Sequence, residues 1–134
     1  MKFFTVAQRM IKKLKRQKLQ SRKRLSERKH YIWNCISDGH FDDAMIMINA
    51  ERCFNYKDAT KTTVLMHVCQ AKADEADIIR FVTFLLAEGA YIQLRDVFGK
   101  TAFDYAQENG LKKVEKLLRK TVYDDFVEGL SLLL

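Results

Sequence analysis

The sequence predicts an all-α protein, and three observations carry that prediction. Proline is absent from the 134 residues and glycine occurs only five times, which disfavours a turn-rich sheet architecture. Apolar residues recur at spacings of three and four in several segments. Two segments repeat: "DATKTTVLMHVCQ" from Asp58 and "DVFGKTAFDYAQ" from Asp96 align Asp on Asp, Thr63 on Thr101 and Leu65 on Phe103. Each is followed by a helical run ending in a leucine pair, so a recurring helix-turn-helix unit is expected. The chain has room for one domain, and 48% apolar residues suffice for a core.

The first element is a basic arm, residues 1–30. It holds twelve Lys/Arg against the single acid Glu27, a net of +11, whereas residues 31–134 hold twelve against sixteen acids, a net of −4. Phe3, Val6, Met10, Ile11 and Leu14 form an apolar helical stripe. Like charges at i and i+4 oppose an isolated helix, so the segment is expected to firm up on packing or on meeting an anionic surface. Lys12, Lys13, Lys15 and Arg16, with Arg22, Lys23 and Arg24, form two clusters of the nuclear-import type that an importin reads. The same residues suit a mitochondrial presequence, an anionic membrane surface, a calmodulin-type groove, non-specific contact with nucleic acid, or a solvated extension without a partner. "RKRLS" makes Ser26 a candidate phosphosite.

Residues 31–57 supply a first unit, "YIWNCISDGHFDDAMIMINAERCFNYK", with Gly39-His40 and an apolar helix through Ala44, Met47 and Ile48. Residues 58–95 supply a second. Its later helix carries Ile78, Ile79, Phe81, Val82, Phe84, Leu85 and Leu86, an apolar face too wide for a free surface helix. Residues 96–122 supply a third, and "YDDFVEGLSLLL" (123–134) is a tail that either caps the stack or leaves an apolar end.

The strongest motifs, "GKTAFDYAQENG", "LLAEGAYIQLRD" and "SDGH", resemble the ankyrin repeat. That family repeats about every 33 residues, with T-P-L-H-x-A, a Gly-His turn, a Val/Ile-Leu-Leu helix and Gly-Ala before a loop. The resemblance covers roughly residues 31–120. Val64 and Ala102 stand in the proline slots and Met66 and Asp104 in the histidine slots. The Asp58–Asp96 interval is 38 residues, and the surplus is expected as a longer inter-helix loop around 71–77. The resemblance implies an ankyrin-type solenoid of about three divergent units. It also implies partner-protein binding through loop tips and the concave face of the first helices. On matching positions those are Tyr56, Lys57, Ala59, Thr60, Thr62 and Gln70, and then Arg95, Val97, Phe98, Lys100 and Glu108.

Catalytic readings are weaker. Gly99-Lys100-Thr101 spells the end of a phosphate-binding loop, but Leu94 stands where the leading glycine belongs. In the repeat, Gly99 instead permits a positive φ, Thr101 caps a helix, and Asp104 closes a capping box. Phe103 and Ala106 then face the stack. Cys35, Cys53 and Cys69 are odd in number, lack C-x-x-C spacing and imply a reducing compartment. Cys35 and Cys69 fall on slots for small buried residues, and zinc-ligand spacing is absent. His67 and Cys69 lie two apart and would face different sides of a helix, and His40 orders a turn.

The expectation is a monomeric, non-enzymatic interaction module, an adaptor or scaffold with no cofactor, metal or catalytic residue, located in the cytoplasm or nucleus, with its arm for targeting or anchoring. The alternative is a factor associated with nucleic acid or anionic membrane through that arm. No apolar run reaches the roughly 18–20 residues of a membrane span, and the N-terminus lacks the apolar core of a secretory signal.

Overall fold

The computed structural model describes residues 5–133; Phe3 of the predicted stripe lies outside them. The described residues are all-helical, with six helices and no strand: α1 (Val6–Ser37), α2 (Phe41–Glu51), α3 (Val64–Cys69), α4 (Glu75–Ala87), α5 (Ala102–Glu108) and α6 (Lys112–Leu133). No helix among them is long and apolar enough to cross a membrane. The chain divides into two compact units, Met1–Tyr31 and Ile32–Leu134.

In the first unit the described residues form the greater part of α1. Nearly every side chain here is exposed, including Val6, Met10, Ile11 and Leu14. The stripe therefore forms a helix while its apolar side stays uncovered.

The second unit is layered. α3 packs on α5, while α2, α4 and α6 form a second row in which α4 touches both neighbours. α3 also packs on α4 and α5 on α6, so short first helices stack on first helices and second on second. Ile32 and Ile36, from the end of α1, join the core with Ile48, Leu65, Ile78, Phe81, Leu85, Val114 and Leu118. Phe81 meets Phe41 edge-on at 5.1 Å. Ala106 is fully buried, as the close approach of α5 to α3 requires.

The expected longer loop between α3 and α4 is present, five residues against three between α5 and α6, but it covers residues 70–74 and not 71–77, because Asp74 stands at the helix start and Glu75 and Asp77 already occupy the first turn of α4. Acids there are favoured by the helix dipole. Of the two expectations for the tail, the separate cap is not formed and the apolar end is: α6 continues unbroken through residue 122 to Leu133, leaving Tyr123, Phe126 and Leu130 exposed.

Candidate functional site

The two aligned segments build the same loop. In the first, Asp58 Oδ1 accepts from the backbone N–H groups of Thr60 (2.9 Å) and Thr62 (3.0 Å). In the second, Asp96 Oδ1 accepts from those of Phe98 (2.9 Å) and Lys100 (3.1 Å). The fourth residue has positive φ in both, 60° at Lys61 and 74° at Gly99. Each Asp backbone N–H also donates across the turn, to Thr62 O and Lys100 O respectively. Nine residues beyond each Asp a side chain closes the loop onto the following helix. His67 Nε2 lies 2.8 Å from Asp58 Oδ2, and the Tyr105 hydroxyl donates to Asp96 Oδ2.

The helices that follow start alike. Thr63 Oγ1 accepts from Met66 N–H and Thr101 Oγ1 from Asp104 N–H, both at 3.3 Å. In return Asp104 Oδ2 accepts from Thr101 N–H at 2.9 Å. Met66 Sδ takes that role for Thr63 N–H at 3.4 Å, a weaker acceptor in the same position. The two loops are also joined, since Val97 N–H donates to Thr60 O at 2.9 Å.

Because the carboxylates gather the loop backbone inward, side chains at the tips turn outward. Val97 is 56% and Phe98 66% exposed. Lys57 and Gln70 are exposed, while Tyr56, Thr60 and Lys100 are half-buried. Arg95 is exposed but committed, its Nη1 donating to Gly99 O at 2.7 Å. Lys100 pairs with Glu108 at 2.8 Å and lies 5.5 Å from the Tyr105 ring centre. Thr62 is a correction: it is buried, its hydroxyl held between Thr60 Oγ1 (2.8 Å) and Asp96 Oδ2 (3.4 Å), so it presents no contact surface.

The arm residues Lys12, Lys13, Lys15, Arg16, Arg22, Lys23 and Arg24, and Ser26 with them, are exposed on α1. His40 contributes to its turn through backbone alone: its N–H donates to Cys35 O and its carbonyl accepts from Ala44 N–H.

Electrostatics follow from the geometry. Burial acts to raise the Asp96 carboxyl, but hydrogen bonds from Tyr105, the Lys100 and Phe98 amides and Thr62 outweigh it and hold the group below the usual carboxylate value. Burial, reinforced by Asp96, pushes the Tyr105 hydroxyl up to about 12. Asp58 is likewise lowered, hydrogen bonds from Thr60, His67 and Thr62 prevailing over burial. Burial drives the Cys69 thiol up to about 12, leaving it a neutral packing group at ordinary pH. His67 turns to Asp58 and stacks on Trp33 with centroids 4.6 Å apart, so it is not paired with Cys69. Residues 99–101 form a tight turn and a cap, and the amides of Phe98, Gly99, Lys100 and Thr101 all donate to Asp96 or Asp104 and not outward to a phosphate site.

Sequence reasoning missed Asp58 and Asp96 as the organisers of the loops. The sequence shows only an Asp at each position with His67 and Tyr105 nine residues on; the inward-turned amides that make each Asp the organiser belong to the fold. An open groove of about 890 Å³ was also missed; it is lined by Ile92, Phe103, Leu118, Arg119, Val122 and Phe126 and does not include Val97 or Phe98. No protein-family model matches the chain, and no curated protein is similar to it at a significant level.

Proposed function

We propose that the chain is a divergent ankyrin-type repeat protein that binds another protein through the loop tips and first helices of its second and third units. The observation that carries this reading is the repeated loop, whose Asp carboxylate, amide donors, positive-φ residue and helix cap recur 38 residues apart. Such a scaffold makes rigid tips that display variable side chains, here Val97 and Phe98. Aromatic and Arg side chains anchor interfaces more often than others, and Tyr56, Arg95 and Phe98 stand at or beside these loops. The basic arm supplies targeting or anchoring, in a protein of the cytoplasm or nucleus that acts without catalysis or a cofactor.

The test is capture of cellular proteins on immobilised full-length chain, compared with Phe98→Ala and Val97→Asp. A protein retained by the original chain and lost at least about tenfold with both variants supports the reading, since one anchor typically contributes about 2 kcal/mol. Retention unaffected by either variant, or dependent only on residues 1–28, overturns it.

A further inference from the structure

The helix of the basic arm starts on its own chemistry. Thr5 Oγ1 accepts from Gln8 N–H at 3.2 Å and Gln8 Oε1 accepts from Thr5 N–H at 2.9 Å, a capping box that needs no neighbouring element. Beyond it Val6, Met10, Ile11 and Leu14 are between 52% and 74% exposed. At about 100° per residue they fall, with Ala7, within roughly 140° of one side of α1. Arg9 and Lys13 border that side on one edge and Lys15 on the other, while Lys12 and Arg16 stand opposite, and all five are exposed. The next cluster, Arg22, Lys23, Arg24, Arg28 and Lys29, contains a single acid, Glu27, the first of the chain.

We propose that the arm is an interfacial anchor for an anionic lipid bilayer, with Val6, Met10, Ile11 and Leu14 sunk between the headgroups and the flanking cations on lipid phosphates and carboxylates. This names the surface behind the arm's anchoring role and rests on that part of the proposed function alone; the loop tips are not used. Stripe and charge have to be satisfied together, and an anionic bilayer surface does both. Nucleic acid would take up the cations but leave the apolar stripe in water. A protein groove that wraps the helix would also enclose Lys12 and Arg16, whose desolvation is costly without paired acids. A flat surface touches one side only and leaves those two in water, where they still draw the arm toward negative charge. The other exposed apolar side, formed on α6 by Tyr123, Phe126, Val127 and Leu130, is no complement to the arm. Arg119 lies on that same side of α6, and Asp124, Asp125 and Glu128 lie away from it. The arm's stripe is short, nine residues from Val6 to Leu14, or about 14 Å of helix. Insertion by itself is therefore weak, and the cluster at 22–29 supplies the second, electrostatic signal.

Co-sedimentation of the full chain with lipid vesicles tests this. Vesicles of phosphatidylcholine with about 30% phosphatidylserine should bind at least about tenfold more tightly than phosphatidylcholine alone, and about 500 mM salt should remove most of that preference. Two sets of exposed side chains are then changed, with circular dichroism checking that the helices persist. Lys12→Gln, Lys13→Gln, Lys15→Gln and Arg16→Gln together should weaken binding to the anionic vesicles at least about tenfold. Met10→Gln with Leu14→Gln keeps every charge and should still weaken that binding at least about fivefold, because the stripe no longer inserts. No binding to either vesicle, equal binding to both, or anionic binding that Met10→Gln with Leu14→Gln leaves unchanged each overturns the proposal. The last result, joined to tight binding of a DNA duplex, would make the arm a phosphate binder instead. Protein capture that depends on Phe98 is read separately, so the anchor and the loop-tip reading can fail independently.

Discussion

At the residue scale, Asp96 holds more of the candidate site together than any exposed side chain. Its carboxylate satisfies two amides and receives the Tyr105 and Thr62 hydroxyls. Asp96→Ala leaves those donors without an acceptor, and a loss of about 2–3 kcal/mol in urea unfolding is expected. The linked pH dependence has a definite sign. Asp58 and Asp96 lie below the ordinary value of 3.8 when folded, so they bind protons more readily when unfolded. Their contribution is complete above that value and is lost as pH falls below it, through the lower folded values. Tyr105 lies above its ordinary value of 10.0, at about 12. Its contribution is complete below pH 10 and falls away toward 12. Thermal melts across pH should show both flanks, and Tyr105→Phe should remove the alkaline one.

Lys61 and Gly99 occupy the same turn position with φ of 60° and 74°. A side chain in that region costs about 1 kcal/mol. Lys61→Gly should therefore raise stability by roughly 0.5–1 kcal/mol and Gly99→Ala lower it by about as much, measured by chemical denaturation. Gly99 was legible in the sequence as a turn glycine. The same conformation at Lys61 was not, because only the Asp58 loop imposes it on a residue that normally avoids it.

At the scale of elements, most boundaries follow from local chemistry. Thr101 and Asp104 announce the start of α5, and the structure shows both halves of the capping box. α6 begins differently, on a contact no local pattern shows. Glu75 Oε1, 38 residues before Lys113, accepts from the Lys113 (2.7 Å) and Val114 (3.3 Å) amides. It places a carboxylate where the α6 dipole favours negative charge. Glu75→Ala should cost about 1 kcal/mol, and the amides of Lys113 and Val114 should exchange with deuterium faster than in the original chain. The C-terminal ends of α4 and α2 share one device: Gly89 N–H donates to Leu86 O and Ala90 N–H to Leu85 O. Arg52 and Cys53 do the same after α2, with Arg52 in the left-handed region.

At the scale of the whole molecule, the core of the second unit draws on every helix in one cluster. Stacked units of this kind are individually too small to stay folded. Phe81 is fully buried in the middle of the second row, in edge-on contact with Phe41 and Phe84. Phe81→Ala should cost about 3–5 kcal/mol. Far-ultraviolet circular dichroism and Trp33 fluorescence should lose structure at one shared, lower urea midpoint. Separate midpoints would show that the units unfold independently.

The sequence by itself determined the helical class, the repeat and its capping residues, the burial of Cys35 and Cys69, and the division of charge near residue 30. Each is written in local chemistry: period, cap, turn and composition. Only the tertiary structure decided that Thr62 is buried, that Glu75 caps a helix 38 residues on, that the 123–133 segment prolongs α6 with its apolar side exposed, and that Asp58 and Asp96 organise the loops. These depend on which groups meet across the stack. A hydroxyl, a carboxylate or a leucine reads the same in sequence whether its neighbour is water or another turn of the chain.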